Sequence, residues 1–229
     1  MKNPWVIIGI ITVVLFGGAI LYSNQASKKS NEGIVTSKHI KEGQPNAVTL
    51  TEYSDFQCPA CGAFEPVLEQ TLAKYGDKIT FEYKHYPLPI HPYAEQAALA
   101  AEAAGQQGKF FEYHDKLFAT QKEWSESPAP QTFFIQYAKD LGLNVDQFKR
   151  QMQSSVLRDY IRSDANEAKQ LALTGTPTFY LNGQKMEMKS YEDFVNQVAA
   201  AVDPGAALNT GSTSASGGAG QPGIKFGLQ

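Results

Sequence analysis

The sequence predicts an α/β domain with a helical insertion, preceded by one membrane-crossing helix. Three observations carry this reading. The chain orders as strand, helix, strand, a block of helices, a hairpin and a closing helix, which is an arrangement of α/β type. Its only two cysteines stand together as Cys58-Pro59-Ala60-Cys61, where the first strand runs into the first helix. From Trp5 to Tyr22 the chain carries no charge and is rich in Ile, Val and Leu.

The uncharged run is about long enough to cross a bilayer core as a helix. Trp5 and Tyr22 bracket it where interfacial aromatics are favoured. A cleaved secretory signal is the rival, but its apolar region usually spans roughly 7–15 residues, and Asn24-Gln25-Ala26 makes a poor small-x-small cleavage site. Residues 1–22 therefore read as an uncleaved anchor. Lys2 precedes the span while Lys28 and Lys29 follow it, so the positive-inside rule leaves the orientation open. Residues 23–46 are polar and aperiodic and read as a stalk.

The folded domain is expected over residues 47–202. Ala47 to Tyr53 alternates as a strand, with Val48, Leu50 and Glu52 on one face. The segment after Cys58 reads as a helix to about Tyr75, stopped by Gly76-Asp77. Ile79 to Tyr86 is a second strand that Pro87 and Pro89 end, with Ile79, Phe81 and Tyr83 on a shared face. Helical segments follow at Tyr93–Gln107, from Gly108 through Leu117, and at Gln131–Leu141, Val145–Gln153 and Leu157–Leu173. Asn144 serves as an N-cap for the fourth of these. Trp124 to Pro130 reads as a Ser/Pro loop. Thr178 to Leu181 and Gln184 to Met188 flank Asn182-Gly183, a strong two-residue hairpin signal, and Tyr191 to Val202 closes the domain. Residues 203–229 are dominated by Gly, Ser, Ala and Thr, too little apolar surface to offset the entropy of ordering, and read as a disordered tail.

Composition narrows the function. A formal charge of −3 gives no argument for nucleic acid. Lys28, Lys29, Lys38 and Lys41 form a loose cluster that Glu32 and Glu42 dilute. The cysteine pair carries the chemistry. A cysteine at a helix N-terminus faces unpaired backbone N–H groups and the positive end of the helix dipole. Both stabilise the thiolate, the nucleophile of thiol–disulfide exchange. Pro59 suits the first helical turn, where its missing N–H costs nothing. Cys58 is expected as the exposed attacking thiol and Cys61, one turn in, as the buried resolving thiol. A permanent disulfide staple fits poorly, because so short a loop removes little chain entropy. A zinc site would need two further strong ligands, and His39, His85, His91 and His114 show no metal-type spacing.

Two further positions bear on the dithiol. Glu52 shares a face with Val48 and Leu50. Pointed into the core, its carboxyl would have a raised pKa and could accept the Cys61 proton; at a turning strand end it would meet solvent. Thr176-Pro177 either marks the edge-type start of a strand or forms a cis-proline loop against the dithiol, although X–Pro statistics favour trans. His91 reads only as a polar boundary residue, and Phe110, Phe111, Tyr113 and Phe118 as core.

Taken together these motifs resemble a known family. Tyr53-Ser54-Asp55-Phe56-Gln57-Cys58-Pro59-Ala60-Cys61 is similar to the active-site segment of DsbA-like thioredoxin-fold proteins. His91-Pro92 through Gly108-Lys109-Phe110-Phe111 resembles their helical insertion, and Gly175-Thr176-Pro177-Thr178-Phe179 with Asn182-Gly183 their cis-proline loop and hairpin. The likeness covers about Ala47 to Val202, and the nearest kin it points to are membrane-anchored disulfide oxidoreductases of bacterial envelopes. It implies Cys58 as nucleophile, Cys61 as resolving thiol, Glu52 as the buried acid and Pro177 as cis, with Thr176 offering backbone groups to a bound peptide strand. Ala60 departs from the histidine that the family's best-known strong oxidant carries there.

The sequence thus predicts an anchored thiol:disulfide oxidoreductase with its domain outside the cytoplasm. It would form disulfides in secreted or envelope proteins with no metal or organic cofactor. The resemblance implies a quinone-linked membrane partner that reoxidises it. A reductase or isomerase on the same fold, and a non-catalytic peptide-binding chaperone, are the rival readings.

Overall fold

The computed structural model describes residues 3–204; the expected tail lies outside the described residues from residue 205 onward. Helix α1 runs from Pro4 to Asn31. Within it, Ile8–Asn31 is long and apolar enough to cross a membrane, and none of that stretch's most apolar window is buried against the protein. The helix outruns the predicted anchor by nine residues, through Asn31. Gln25, Ala26, Lys28 and Lys29 are good helix formers, and no breaker appears before Gly33, which takes φ +69°.

The domain is a five-stranded mixed sheet in the order β1-β3-β2-β4-β5. Strand β2 (Val48–Ser54) pairs in parallel with β3 (Ile79–His85), connected by α2 (Pro59–Tyr75). Strand β4 (Thr178–Leu181) lies antiparallel against the other side of β2 and continues into β5 (Gln184–Lys185). Between these halves stand α3 (Ala94–Gly105), α4 (Phe110–Ala119), α5 (Gln121–Ser125), α6 (Pro130–Asp140), α7 (Val145–Gln151) and α8 (Ser155–Gln170), and α9 (Tyr191–Val202) closes the chain.

Two elements correct the sequence reading. The segment expected as a stalk contributes β1 (His39–Lys41), an edge strand antiparallel to β3. Three residues are too few for a periodic signal, and β1 exists because β3 offers it an edge. The loop expected at Trp124–Pro130 begins inside α5: Trp124 is fully buried, with its indole N–H donating to the Leu117 carbonyl at 2.8 Å.

The core explains where the site falls. Phe64 of α2, Phe179 of β4 and Phe194 of α9 meet with ring centroids 4.7–4.9 Å apart. This packing lays the first helix across the strand that follows Pro177. Each aromatic side chain buries about 150–250 Å², so the register of α2 over β4 is strongly held. On the sheet's other face Tyr53 packs with Tyr86, Ala165, Ala168 and Leu173. The hairpin is pinned as well. Asn182 (φ +50°) and Gly183 (φ +78°) take the left-handed conformations of a primed turn. Asn182 also bonds Thr49 twice: its backbone N–H donates to the Thr49 carbonyl, and its side-chain oxygen accepts from the Thr49 N–H.

Candidate active site

The dithiol sits where β2 hands over to α2. Cys58 is the N-cap of α2 (φ −68°, ψ 120°), and Pro59 opens the helix. The turn before it is closed by the Cys58 N–H donating to the Asp55 carbonyl at 3.0 Å. Both cysteines are free thiols. Cys61 is 1% exposed, as expected, but Cys58 is only 7% exposed, which corrects the expectation of an open thiol. The cause is the loop before β4. The Thr176–Pro177 bond is cis, and the Thr176 carbonyl lies 3.4 Å from the Cys58 sulfur, accepting from its S–H. Thr176 and Pro177, 118 residues away for the closer pair, are therefore brought onto the dithiol.

The two thiols have opposite electrostatics. The Cys61 S–H beside it does most to lower the Cys58 pKa, to about 6; burial works against this, while the Thr176 side chain and the N–H groups of Cys61 and Ala60 add to the pull. The Thr176 hydroxyl is buried with no hydrogen-bond partner. Cys61 is pushed well above the usual thiol range by burial first, then by its bond to Cys58 and the charges of Cys58 and Glu52. Glu52 points into the core at 1% exposure, as one of the two readings of its strand had it. Burial pushes its pKa up to about 7, with Ser54 working against that and the charge of Cys58 adding to it. Its Oε2 has no hydrogen-bond partner.

Several residues that support the site escaped the sequence reading. Gln121 of α5 donates its amide to the carbonyls of both Phe56 and Cys58, each at 2.8 Å. Its amide fills the space a side chain at position 62 would need, since a Cβ on Gly62 would lie 2.5 Å from Gln121 Oε1. Asp55, fully buried, accepts from the Gln57 and Leu88 N–H groups at 2.8 Å and lies 2.6 Å from His91 Nδ1. Gln57 Oε1 accepts from the Tyr93 N–H at 2.6 Å. The loop 88–93 is thereby tied to the residues just before Cys58, and His91 is a partner of Asp55 as well as a boundary residue. Glu65, one helical face along α2, has its pKa pushed up to about 9 by burial and the nearby charges of Glu52 and Asp115.

Two groups of potential metal ligands come together that spacing alone could not reveal. His39 and His85 both place Nε2 on Glu102 Oε1, at 2.5 and 2.8 Å. Glu65, His114 and Asp115 converge similarly. In the first group the ring nitrogens share one carboxylate oxygen at hydrogen-bonding distance, an arrangement that ties β1 and β3 to α3.

Fold and site define a dithiol protein: a helix-capping Cys-x-x-Cys under a cis-proline loop, with a buried acid behind it. The family model described as Thioredoxin matches residues 36–200, and the chain belongs to that family. A thioredoxin-like oxidoreductase from Silicibacter pomeroyi is similar at 25% identity and a TM-score of 0.59, over 73% of this chain and 91% of that one. Wolbachia pipientis alpha-DsbA1 is similar at 22% identity and a TM-score of 0.63, over 77% and 96%, a likeness of fold with the same helical insertion. The Na(+)/H(+) antiporter NhaA 3 of Salinispora tropica is 38% identical over 148 residues, 64% of this chain. The chain spans only 22–24% of the length of that antiporter and a mycobacterial one it also matches.

Proposed function

We propose that this protein is a thiol:disulfide oxidoreductase that forms disulfides in extracytoplasmic proteins, held at the membrane by α1. The observation that carries it is the dithiol at one helix N-terminus, with Cys58 as N-cap under the Thr176 carbonyl and Cys61 buried behind it, a placement that lowers the Cys58 pKa and raises that of Cys61. A thiol of low pKa is a good leaving group in exchange, and a reduced form stabilised as its thiolate is what makes a dithiol oxidising.

In the oxidising direction a substrate thiolate attacks Cys58 of the Cys58–Cys61 disulfide, and Cys61 leaves with the electron pair. Glu52 supplies the proton that high-pKa Cys61 takes up, a role its burial and raised pKa support. A second substrate thiolate then attacks the substrate sulfur of the mixed disulfide. Cys58 departs as its stabilised thiolate, so two substrate thiols have become one disulfide and the two electrons rest on the Cys58/Cys61 pair. Thr176 and cis-Pro177 form the rim across which the substrate chain pairs in extended form. Thiol-bearing proteins are the substrates, and a quinone-linked membrane protein takes the electrons away.

The test is the reduction potential of the Cys58/Cys61 couple against glutathione. A value near about −120 mV, where strong disulfide donors lie, is expected. One near about −270 mV, typical of thioredoxin, would make the protein a reductase.

A further inference from the structure

Helix α1 has 28 residues, about 42 Å at 1.5 Å per residue. A bilayer core of about 30 Å takes only about 20 of them. The apolar run ends at Tyr22, an aromatic of the kind that settles at the membrane–water interface. Ser23–Asn31 therefore crosses the headgroup layer as rigid helix.

That stretch is docked against the domain. Ser30 is buried. Asn31 Oδ1 accepts from the Ser154 hydroxyl at 2.8 Å and the Ser155 N–H at 3.0 Å, while its amide donates to the Ser155 hydroxyl at 2.9 Å. The contact leaves a cleft of about 630 Å³ between α1 and the end of α7, whose polar wall is Tyr22, Ser23, Ser27, Lys29, Arg150 and Gln153. No acidic residue lines it. Among the described residues neither Lys29 nor Arg150 forms an ion pair, and Asp146, one turn back on α7, does not pair with Arg150 either. Two uncompensated cations, together with the hydroxyl groups of Ser23 and Ser27, thus line a cleft that opens at headgroup depth.

We propose that this cleft binds the phosphate of an anionic lipid headgroup and thereby sets how the domain stands on the membrane surface. The inference rests on the reading of α1 as a membrane anchor. It gives a role to Lys29, a cation that the positive-inside tendency would disfavour on the outer side. A phosphodiester suits the site because guanidinium binds its oxygens bidentately while ammonium and hydroxyl groups take the rest. A free phosphate offers the same chemistry, and the experiment separates the two sources.

The full chain is reconstituted in nanodiscs of phosphatidylcholine with or without phosphatidylglycerol. Hydrogen exchange is followed at the amides of residues 23–31 and 150–155, and retained lipid is counted by native mass spectrometry. Phosphatidylglycerol is expected to slow exchange in both segments and to remain bound. Lys29→Gln and Arg150→Gln should each weaken retention about fivefold, with Arg150→Lys recovering part of the loss. Disulfide exchange on a soluble peptide serves as the folding control, since Arg150 lies outside the active site. Equal exchange in the two bilayers, or retention indifferent to both substitutions, overturns the proposal. Protection by inorganic phosphate in phosphatidylcholine discs alone would assign the cleft to a free anion and likewise overturn it. Alkaline carbonate extraction tests the anchor separately: release of the wild-type chain would sink the membrane reading itself.

Discussion

The sharpest test of the site is Cys61→Ala, read at Cys58. In the wild type the Cys61 S–H makes the largest contribution to a Cys58 pKa of about 6. A hydrogen bond to a charged group is worth about 1.5–3 kcal/mol, and one pKa unit is about 1.36 kcal/mol. Removing it should therefore raise the Cys58 midpoint by about 1–2 units. At pH 6 the thiolate fraction falls from about a half to between a tenth and a hundredth, so alkylation slows about five- to fifty-fold. The sulfur keeps some solvent contact, which argues for the lower end. The assay is the rate of iodoacetamide reaction across pH, checked by ultraviolet thiolate absorbance. A midpoint that stays put in Cys61→Ala would refute the reasoning and leave the Thr176 side chain and the helix N-terminal N–H groups as the stabilisers. The same shift predicts how the reduced protein's stability varies with pH. A depressed pKa contributes stability that is complete above the unfolded value near 9 and vanishes as pH falls through about 6. At pH 7 it amounts to about 1.4 kcal/mol, nearer 1 after screening. That raises the reduction potential by about 20–30 mV. The reduced form should therefore gain on the disulfide form in urea titrations between about pH 6 and pH 9.

Other outcomes follow from the same geometry. Glu52→Gln removes a buried acid whose pKa is raised from 4.5 to about 7; the ionised form costs stability only above the unfolded value, so the variant should be more stable by about 3 kcal/mol at pH 8 and unchanged below pH 4. During reoxidation, where Cys61 must lose its proton before it attacks, the same variant should prolong the mixed disulfide with the reoxidant, measured by acid-quenched trapping. Gly62→Ala forces Gln121 off the carbonyls of Phe56 and Cys58 and should cost about 1–3 kcal/mol in thermal unfolding; a Gly62→Ala/Gln121→Ala double variant that loses the full sum of the single effects would show that the two positions are independent.

What was legible in the sequence was what local rules specify. Pro59 behind Cys58 announces a helix start and Asn182-Gly183 a primed turn, while the alternation of Val48, Leu50 and Glu52 allows a buried carboxyl as one of two readings. Each depends on neighbours a few residues away. What stayed hidden depends on distant partners. Strand β1 is held by pairing to β3 and by His39 on Glu102, 63 residues apart. Gln121 acts on a carbonyl 63 residues upstream, and its fit requires Gly62. Asp55 looks like an ordinary turn residue until the loop 88–93 folds onto it. The low exposure of Cys58 follows from the same limitation, because the carbonyl that covers it belongs to Thr176.

The placement of charge in this interior gives the proposed cycle its timing. The Cys58 thiolate raises the pKa of Glu52 and of Cys61, so while that charge is present both protons are held. When the thiolate attacks an incoming disulfide during reoxidation, its charge passes to the leaving sulfur. Glu52 then loses the repulsion and ionises more readily. Cys61 becomes easier to deprotonate at the same moment, with an unpartnered carboxylate oxygen at hand. Cys58→Ala makes the loss of charge permanent, and the Glu52 midpoint should drop below about 7 in that variant, while burial keeps it above 4.5. Carbon-13 NMR of the carboxyl, followed across pH in the reduced protein and the variant, measures both midpoints. If they coincide, Glu52 does not sense the thiolate, and the proton that leaves Cys61 must find another acceptor.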